Sequence, residues 1–176
     1  MLLNTTVPFT YTPALDFVGT DHFVYNVCDA TGCDTATAYI TIQQPPVGTI
    51  SGTVFQDYNG NGSLNSGEPS IGKIVYVKLV QKTGINCGTV AIDVAVADAN
   101  TGNYQFNNAL GGDYCLILDD NNNVNDVTPT TLPSWSPTSP TALSATMSTG
   151  VVTNQNFGLL FICPPKIGLN VKVLKQ

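Results

Sequence analysis

Apolar and polar residues alternate with a period of two along much of this chain, most clearly from Thr35 to Ile42. There Ala36, Ala38, Ile40 and Ile42 fall on one face and Thr35, Thr37, Tyr39 and Thr41 on the other, which predicts a half-buried β-strand. Phe23, Tyr25 and Val27 alternate in the same way between His22 and Cys28, and Phe9-Thr-Tyr-Thr12 is a third short run. Further strands are predicted over 49–55, 71–80, 89–97, 103–107, 113–119 and 155–162. Within 71–80, Ile74, Tyr76, Lys78 and Val80 face one way and Val75, Val77 and Leu79 the other. A final run sets Leu169, Val171 and Val173 against Asn170, Lys172 and Leu174.

Proline punctuates this pattern. Pro45-Pro46, inside 43–48, lacks the N–H groups that a strand ladder needs, and Pro164-Pro165 repeats the device after Ile162. The chain therefore reads as a module at 1–44, a linker at 45–48, a module at 49–161, and a linker with a new strand at 162–176. The Thr/Ser/Pro-rich stretch 128–149 is expected to be a long polar connection anchored by Leu132, Trp135 and Leu143, the other reading being a site for O-linked sugar.

Charge narrows the function classes. The 176 residues hold six lysines, no arginine and twelve acids, with charged residues only 10% and a net charge of −6. That balance argues against a nucleic-acid footprint, which needs a basic stripe. No apolar run reaches the eighteen or so residues of a membrane span. Met1-Leu-Leu-Asn lacks the basic start and long apolar core of a signal peptide, so the expectation is a mature or excised part of a longer extracellular precursor. No catalysis is expected. His22 is the single histidine, there is no G-x-S-x-G or phosphate loop, and Asp119-Asp120 read as an acidic turn. Trp135 reads as a core anchor rather than a sugar platform.

Two sets of residues carry candidate chemistry. Cys28 and Cys33 flank the turn Asp29-Ala-Thr-Gly32 and are expected to form a disulfide across a hairpin, with Cys87 and Cys115 the next pair and Cys163 left over. Residues 57–68, D-Y-N-G-N-G-S-L-N-S-G-E, fit the twelve-residue calcium-loop pattern at every specified position. Asp57, Asn59 and Asn61 supply oxygens, Gly62 the sharp turn, Ser63 its carbonyl, Asn65 a bridging water and Glu68 a closing carboxylate. The flanking runs are strands rather than helices, so the loop is not an EF-hand, and calcium is expected as a weakly held structural cofactor.

Two resemblances cover most of the chain. Phe9-x-Tyr11-Thr-Pro13, Phe17-x-Gly19-x-Asp21-x-Phe23-x-Tyr25-x-Val27-x-Asp29 and Gly32 resemble the C-terminal half of bacterial cadherin-like (Ig-like) surface repeats, over residues 9–42. Gly52-x-Val54-Phe55-x-Asp57 through Gly67-Glu68-Pro69, with Gly102-Asn-Tyr104-x-Phe106 and Asn156-Phe157-Gly158, is similar to SdrD B-like calcium-binding domains of bacterial adhesins, related to the Cna B-type prealbumin-like sandwich. The resemblances imply an all-β fold of two Ig-like/prealbumin-like β-sandwich modules in a linear array, the first incomplete within the chain, in an extracellular or cell-surface stalk. Thr49–Phe55 carries no lysine, so the Lys–Asn crosslink of some Cna B-type relatives is not carried over.

An Ig-like sandwich needs about 100 residues, and the first module is far shorter. The expected function is a structural subunit of an extracellular bacterial filament or surface stalk. Its partners are copies of itself, head to tail, with Leu169, Val171 and Val173 completing the first module of the next subunit. The alternative is an adhesin-type module, binding carbohydrate or a host protein, within a covalent tandem-repeat protein. Asn4 (in Asn4-Thr-Thr6) and Thr35 (in Asp34-Thr35-Ala36) fit short glycosylation signals; Asn61 also fits one but is assigned to calcium.

Overall fold

The structure, a computed structural model, describes residues 9–15 and 17–163. Among the described residues every regular element is a strand, and the chain divides into two compact units, Met1–Pro45 and Pro46–Gln176.

Unit 1 is built on one antiparallel hairpin, β1 (Gly19–Cys28) and β2 (Cys33–Ile42), paired from Gly19↔Ile42 to Cys28↔Cys33. The turn is locked by Asp29, whose Oδ1 accepts hydrogen bonds from the Thr31 N–H (2.7 Å), the Thr31 hydroxyl (2.6 Å) and the Gly32 N–H (3.0 Å). Cys28 and Cys33 are disulfide-bonded at its base. The register puts Phe23, Tyr25 and Val27 on one face with Ala38, Ala36 and Asp34 opposite them. Phe9–Thr12 is not a strand. Bracketed by Pro8 and Pro13, which cannot donate to a ladder, it instead lays Phe9 against Phe23 (ring centroids 5.0 Å) and lets the Tyr11 hydroxyl donate to Asp21 Oδ2 (2.8 Å).

Unit 2 packs two five-stranded sheets. The first contains β4 (Val75–Thr83), β5 (Asn86–Cys87), β6 (Asp93–Ala97), β8 (Gly112–Asp119) and β10 (Ala142–Met147). The second contains β3 (Val47–Gln56), β7 (Asn103–Leu110), β9 (Trp135–Pro137), β11 (Gly150–Val152) and β12 (Phe157–Phe161). β4 lies between β8 and β6, and β3 lies between β7 and the parallel pair β11 and β12. The main core forms from the alternating faces: Val75, Val77 and Leu79 of β4, Leu116 and Leu118 of β8, Ile50 and Val54 of β3, Tyr104 and Phe106 of β7, and Phe157 and Leu159 of β12. The opposite face of the first sheet carries a smaller buried cluster of Val80, Ala91, Cys115 and Ile117. Both faces of β4 are therefore covered.

Two parts of the chain differ from what was expected. β3 begins at Val47, so Val47 and Gly48 belong to a strand rather than the linker. The segment 128–149 contains β9 and β10, and Ala145 and Met147 are buried in the main core. Leu132, Trp135 and Leu143 pack against that core from partly buried positions, and Trp135 meets Phe161 edge-on at 5.3 Å. Gly52 marks the closest approach of backbones, since a Cβ there would fall 1.8 Å from the Gln155 carbonyl oxygen.

Candidate metal centre

The loop 57–68 leaves β3 and returns towards β4, and its base is fixed on both sides. Phe55 and Ser70 form an isolated bridge, the Gln56 N–H donates to the Pro69 carbonyl (2.7 Å), and the Asp57 N–H donates to the Leu159 carbonyl of β12 (2.9 Å). Asp57 is thus held where the two strands end, with no exposed surface. Its Oδ1 accepts from the Gly60 N–H (2.7 Å) and its Oδ2 from the Gly62 N–H (2.7 Å), so one carboxylate organises half the loop. Burial pushes this carboxyl up, but the neighbouring Thr138 hydroxyl and the amides of Gly62, Gly60 and Asn61 outweigh it and hold it below the usual aspartate value. Gly62 is required twice over. Its φ is +74°, and a Cβ would come within 2.8 Å of the Thr138 carbonyl oxygen.

The remaining expected ligands converge. Asn59 Oδ1 accepts from the Asn61 N–H (2.9 Å) and Asn61 Oδ1 from the Ser63 N–H (2.8 Å). The side-chain amides of Asn59 and Asn61 both donate to Asn65 Oδ1, at 2.9 and 2.8 Å. Glu68 accepts the Asn65 N–H on Oε2 (2.7 Å), while its Oε1 is buried without a protein hydrogen-bond partner. A buried carboxylate oxygen left unpaired is costly, and a cation is one group that satisfies it. Among the described residues no group of three or more His, Cys, Asp or Glu converges on a metal position, so a cation here would be held by two carboxylates and neutral oxygens. Such a donor set suits a hard ion like calcium.

The structure also brings together residues that the sequence pattern did not. Lys78 and Asp119 are both fully buried and form an ion pair. The Lys78 ammonium donates further to the Asp126 carbonyl (2.6 Å) and Asn121 Oδ1 (3.2 Å). Asp119 Oδ1 accepts from the Asp120 N–H (2.7 Å), the Asn121 amide (3.0 Å) and the Thr130 hydroxyl. Both charges have their hydrogen-bonding capacity used, and the pair ties the loop after β8 to β4. Asp119-Asp120 is therefore more than an acidic turn. The available signal was a lysine between Val77 and Leu79 in a run with two buried faces.

Cys87 and Cys115 are disulfide-bonded, joining β5 to the outer face of β8, and Cys163 is a free, exposed thiol. Thr35 is exposed on β2. Asn4, Leu169, Val171 and Val173 lie outside the described residues.

Family comparison agrees with this architecture. Residues 1–43 match the bacterial Ig domain model and residues 48–156 the SdrD B-like domain model. The chain belongs to the SdrD B-like domain family, with an Ig-type segment before it. Both are modules of bacterial surface proteins. No curated protein matches the chain.

Proposed function

We propose that this chain is a structural subunit of an extracellular filament or stalk, in which residues 164–176 of one copy complete unit 1 of the next by strand addition. The observation that carries this reading is the open inner face of unit 1. A segment matching an Ig domain contains two described strands, and Phe9, Tyr25 and Val27 on its apolar side are 65%, 44% and 60% exposed. An Ig sandwich buries that side beneath a second sheet. An incoming strand supplies main-chain hydrogen bonds to an open edge and apolar side chains to the face. Because donor and acceptor are different surfaces, the contact is head-to-tail and propagates.

Calcium has a structural role in this reading. Asp57, Asn59, Asn61, Ser63, Asn65 and Glu68 would hold it, and its positive charge would screen the two carboxylates and fix the connection between β3 and β4. No residue of this chain is assigned a catalytic role.

Assembly tests the proposal directly. Sedimentation and electron microscopy of the full chain should show linear multimers, and a chain ending at Cys163 should stay monomeric with an unchanged circular dichroism spectrum. Multimers that persist without residues 164–176 would sink strand addition and favour a module of a covalent tandem-repeat protein.

A further inference from the structure

Charge is distributed unevenly between the two partners of this assembly. Residues 1–45 carry Asp16, Asp21, Asp29 and Asp34 and no lysine, whereas 164–176 carry Lys166, Lys172 and Lys175 and no acid. Half of the six lysines of the chain therefore lie in its last thirteen residues. The acids of the hairpin are placed around its apolar strip. On the inner face of unit 1 the register runs Asp21 with Ile40, Phe23 with Ala38, Tyr25 with Ala36 and Val27 with Asp34. Asp21 and Asp34 thus close the two ends of a strip made by Phe23, Tyr25 and Val27, and Asp29 sits in the adjoining turn. A cleft of about 760 Å³ opens on this strip, lined chiefly by Phe9, Phe23, Tyr25, Val27 and Ala38.

Hydrogen bonds favour the charged form of two of these acids. Asp21 is held below the usual aspartate value by the Tyr11 hydroxyl and the His22 amide, and Asp29 by the Thr31 hydroxyl and the turn amides. An open sheet edge and an apolar cleft accept many β-forming segments, including wrong ones. Complementary charge adds selectivity and speeds encounter, and it does so over a range that salt shortens, about 8 Å at physiological ionic strength.

We propose that the docking site for residues 164–176 of a second copy is the acid-rimmed cleft of unit 1, and that the lysines of that segment select it by electrostatic attraction. The inference rests on the strand-addition reading and adds what makes the acceptor recognise this segment. Lys166 and Lys172 are six residues apart, as are Asp21 and Val27, the partner of Asp34. At about 3.3 Å per residue both spans are roughly 20 Å, so an extended segment reaches both acidic ends. Ile167, Leu169 and Val171 alternate with Lys166 and Lys172 along an extended segment, so with the apolar side in the cleft the two ammonium groups reach the acidic ends around the segment's edge on their long, flexible stems.

The test uses the full chain with Lys166→Gln, Lys172→Gln and Lys175→Gln together. Multimer growth is followed at low and at high sodium chloride, and synthetic peptides of residues 164–176, native and Gln-substituted, serve as competitors. The expected results are growth slowed by about tenfold or more at low salt, loss of most of the salt dependence, and a Gln peptide that competes correspondingly more weakly. Charge reversal in both partners, Asp21→Lys and Asp34→Lys with the three lysines changed to Glu, should restore growth. Two results overturn the inference while leaving strand addition standing. One is a Gln variant that grows at the native rate with native salt dependence although the chain ending at Cys163 does not grow. The other is competition by the two peptides at equal strength. A chain whose own segment fills its own cleft would remain monomeric and resist the native peptide, and that result overturns both readings.

Discussion

Lys78 shares its strand face with Val80 rather than with its neighbours Val77 and Leu79, and so enters the smaller buried cluster instead of the main core. A buried ammonium is tolerable there because Asp119, Asn121 and the Asp126 carbonyl accept its three hydrogen bonds. Lys78→Met is expected to destabilise unit 2 by about 3–5 kcal/mol, because Asp119 is left as an uncompensated buried charge. Lys78→Met with Asp119→Leu should recover most of that loss, since the desolvation of both charges disappears with them. Urea unfolding of the three proteins measures this, and a double variant no more stable than the single one would show that the loop after β8 depends on the polar network itself. The residue scale also shows what one-dimensional reading reaches. The converging Asp57, Asn59, Asn61, Asn65 and Glu68 lie within twelve residues, and local spacing revealed them. Lys78 and Asp119 are 41 residues apart and meet only because β4 pairs with β8, which no local pattern encodes.

Strands with clear alternation were legible, and β10, whose small residues lie within a Thr/Ser/Pro-rich stretch, was not. β4, β7 and β8 carry Val, Leu, Ile, Tyr and Phe on their buried faces. β10 reads Ala-Leu-Ser-Ala-Thr-Met and hides its core face behind Ala145 and its last residue, Met147. Surrounded by Thr, Ser and Pro, such a strand has too little apolar weight to stand out from a polar connection. Its place beside β8 is set by the ladder from Ala142↔Ile117 to Met147↔Gly112. Met147 is 2% exposed, so Met147→Ala should cost about 2–5 kcal/mol, whereas a true linker residue would cost almost nothing. Thermal melting separates the two outcomes. The same reasoning explains Phe9–Thr12, where large side chains suggested a strand but flanking prolines denied it a ladder. The parallel pairing of β3 with β11 and β12 was likewise invisible, since it joins segments about a hundred residues apart.

For the whole molecule the acidic groups decide how calcium and pH act together. Asp57 is held below its ordinary 3.8 chiefly against the upward push of burial, while Asp98, Asp120 and Asp126 are lowered first by the Thr101 amide, the Thr130 hydroxyl and the Thr128 amide respectively. A depressed carboxyl contributes stability that is complete above its unfolded value and is lost as pH falls through the folded one. Without metal, the melting temperature of unit 2 should therefore be nearly flat from neutral pH to about 5 and fall below about 4. Calcium bound as proposed would add a second contribution through Asp57, the one of these four carboxylates that lies in the loop. With weak affinity of about 10⁻⁴–10⁻³ M, about 10 mM calcium should stabilise by roughly 1.5–3 kcal/mol at neutral pH. Protons compete with a cation for Asp57, so the gap between calcium and EGTA samples should close as pH falls below about 4. Asp57→Asn should remove the gap at neutral pH while leaving unit 2 folded, since an amide oxygen still accepts from one of the loop amides. Melting curves of both proteins across pH, with magnesium as the control ion, provide the measurement. A gap that survives Asp57→Asn, or persists at pH 3, would place the ion away from this loop and remove calcium from the account of how the β3–β4 connection is made rigid.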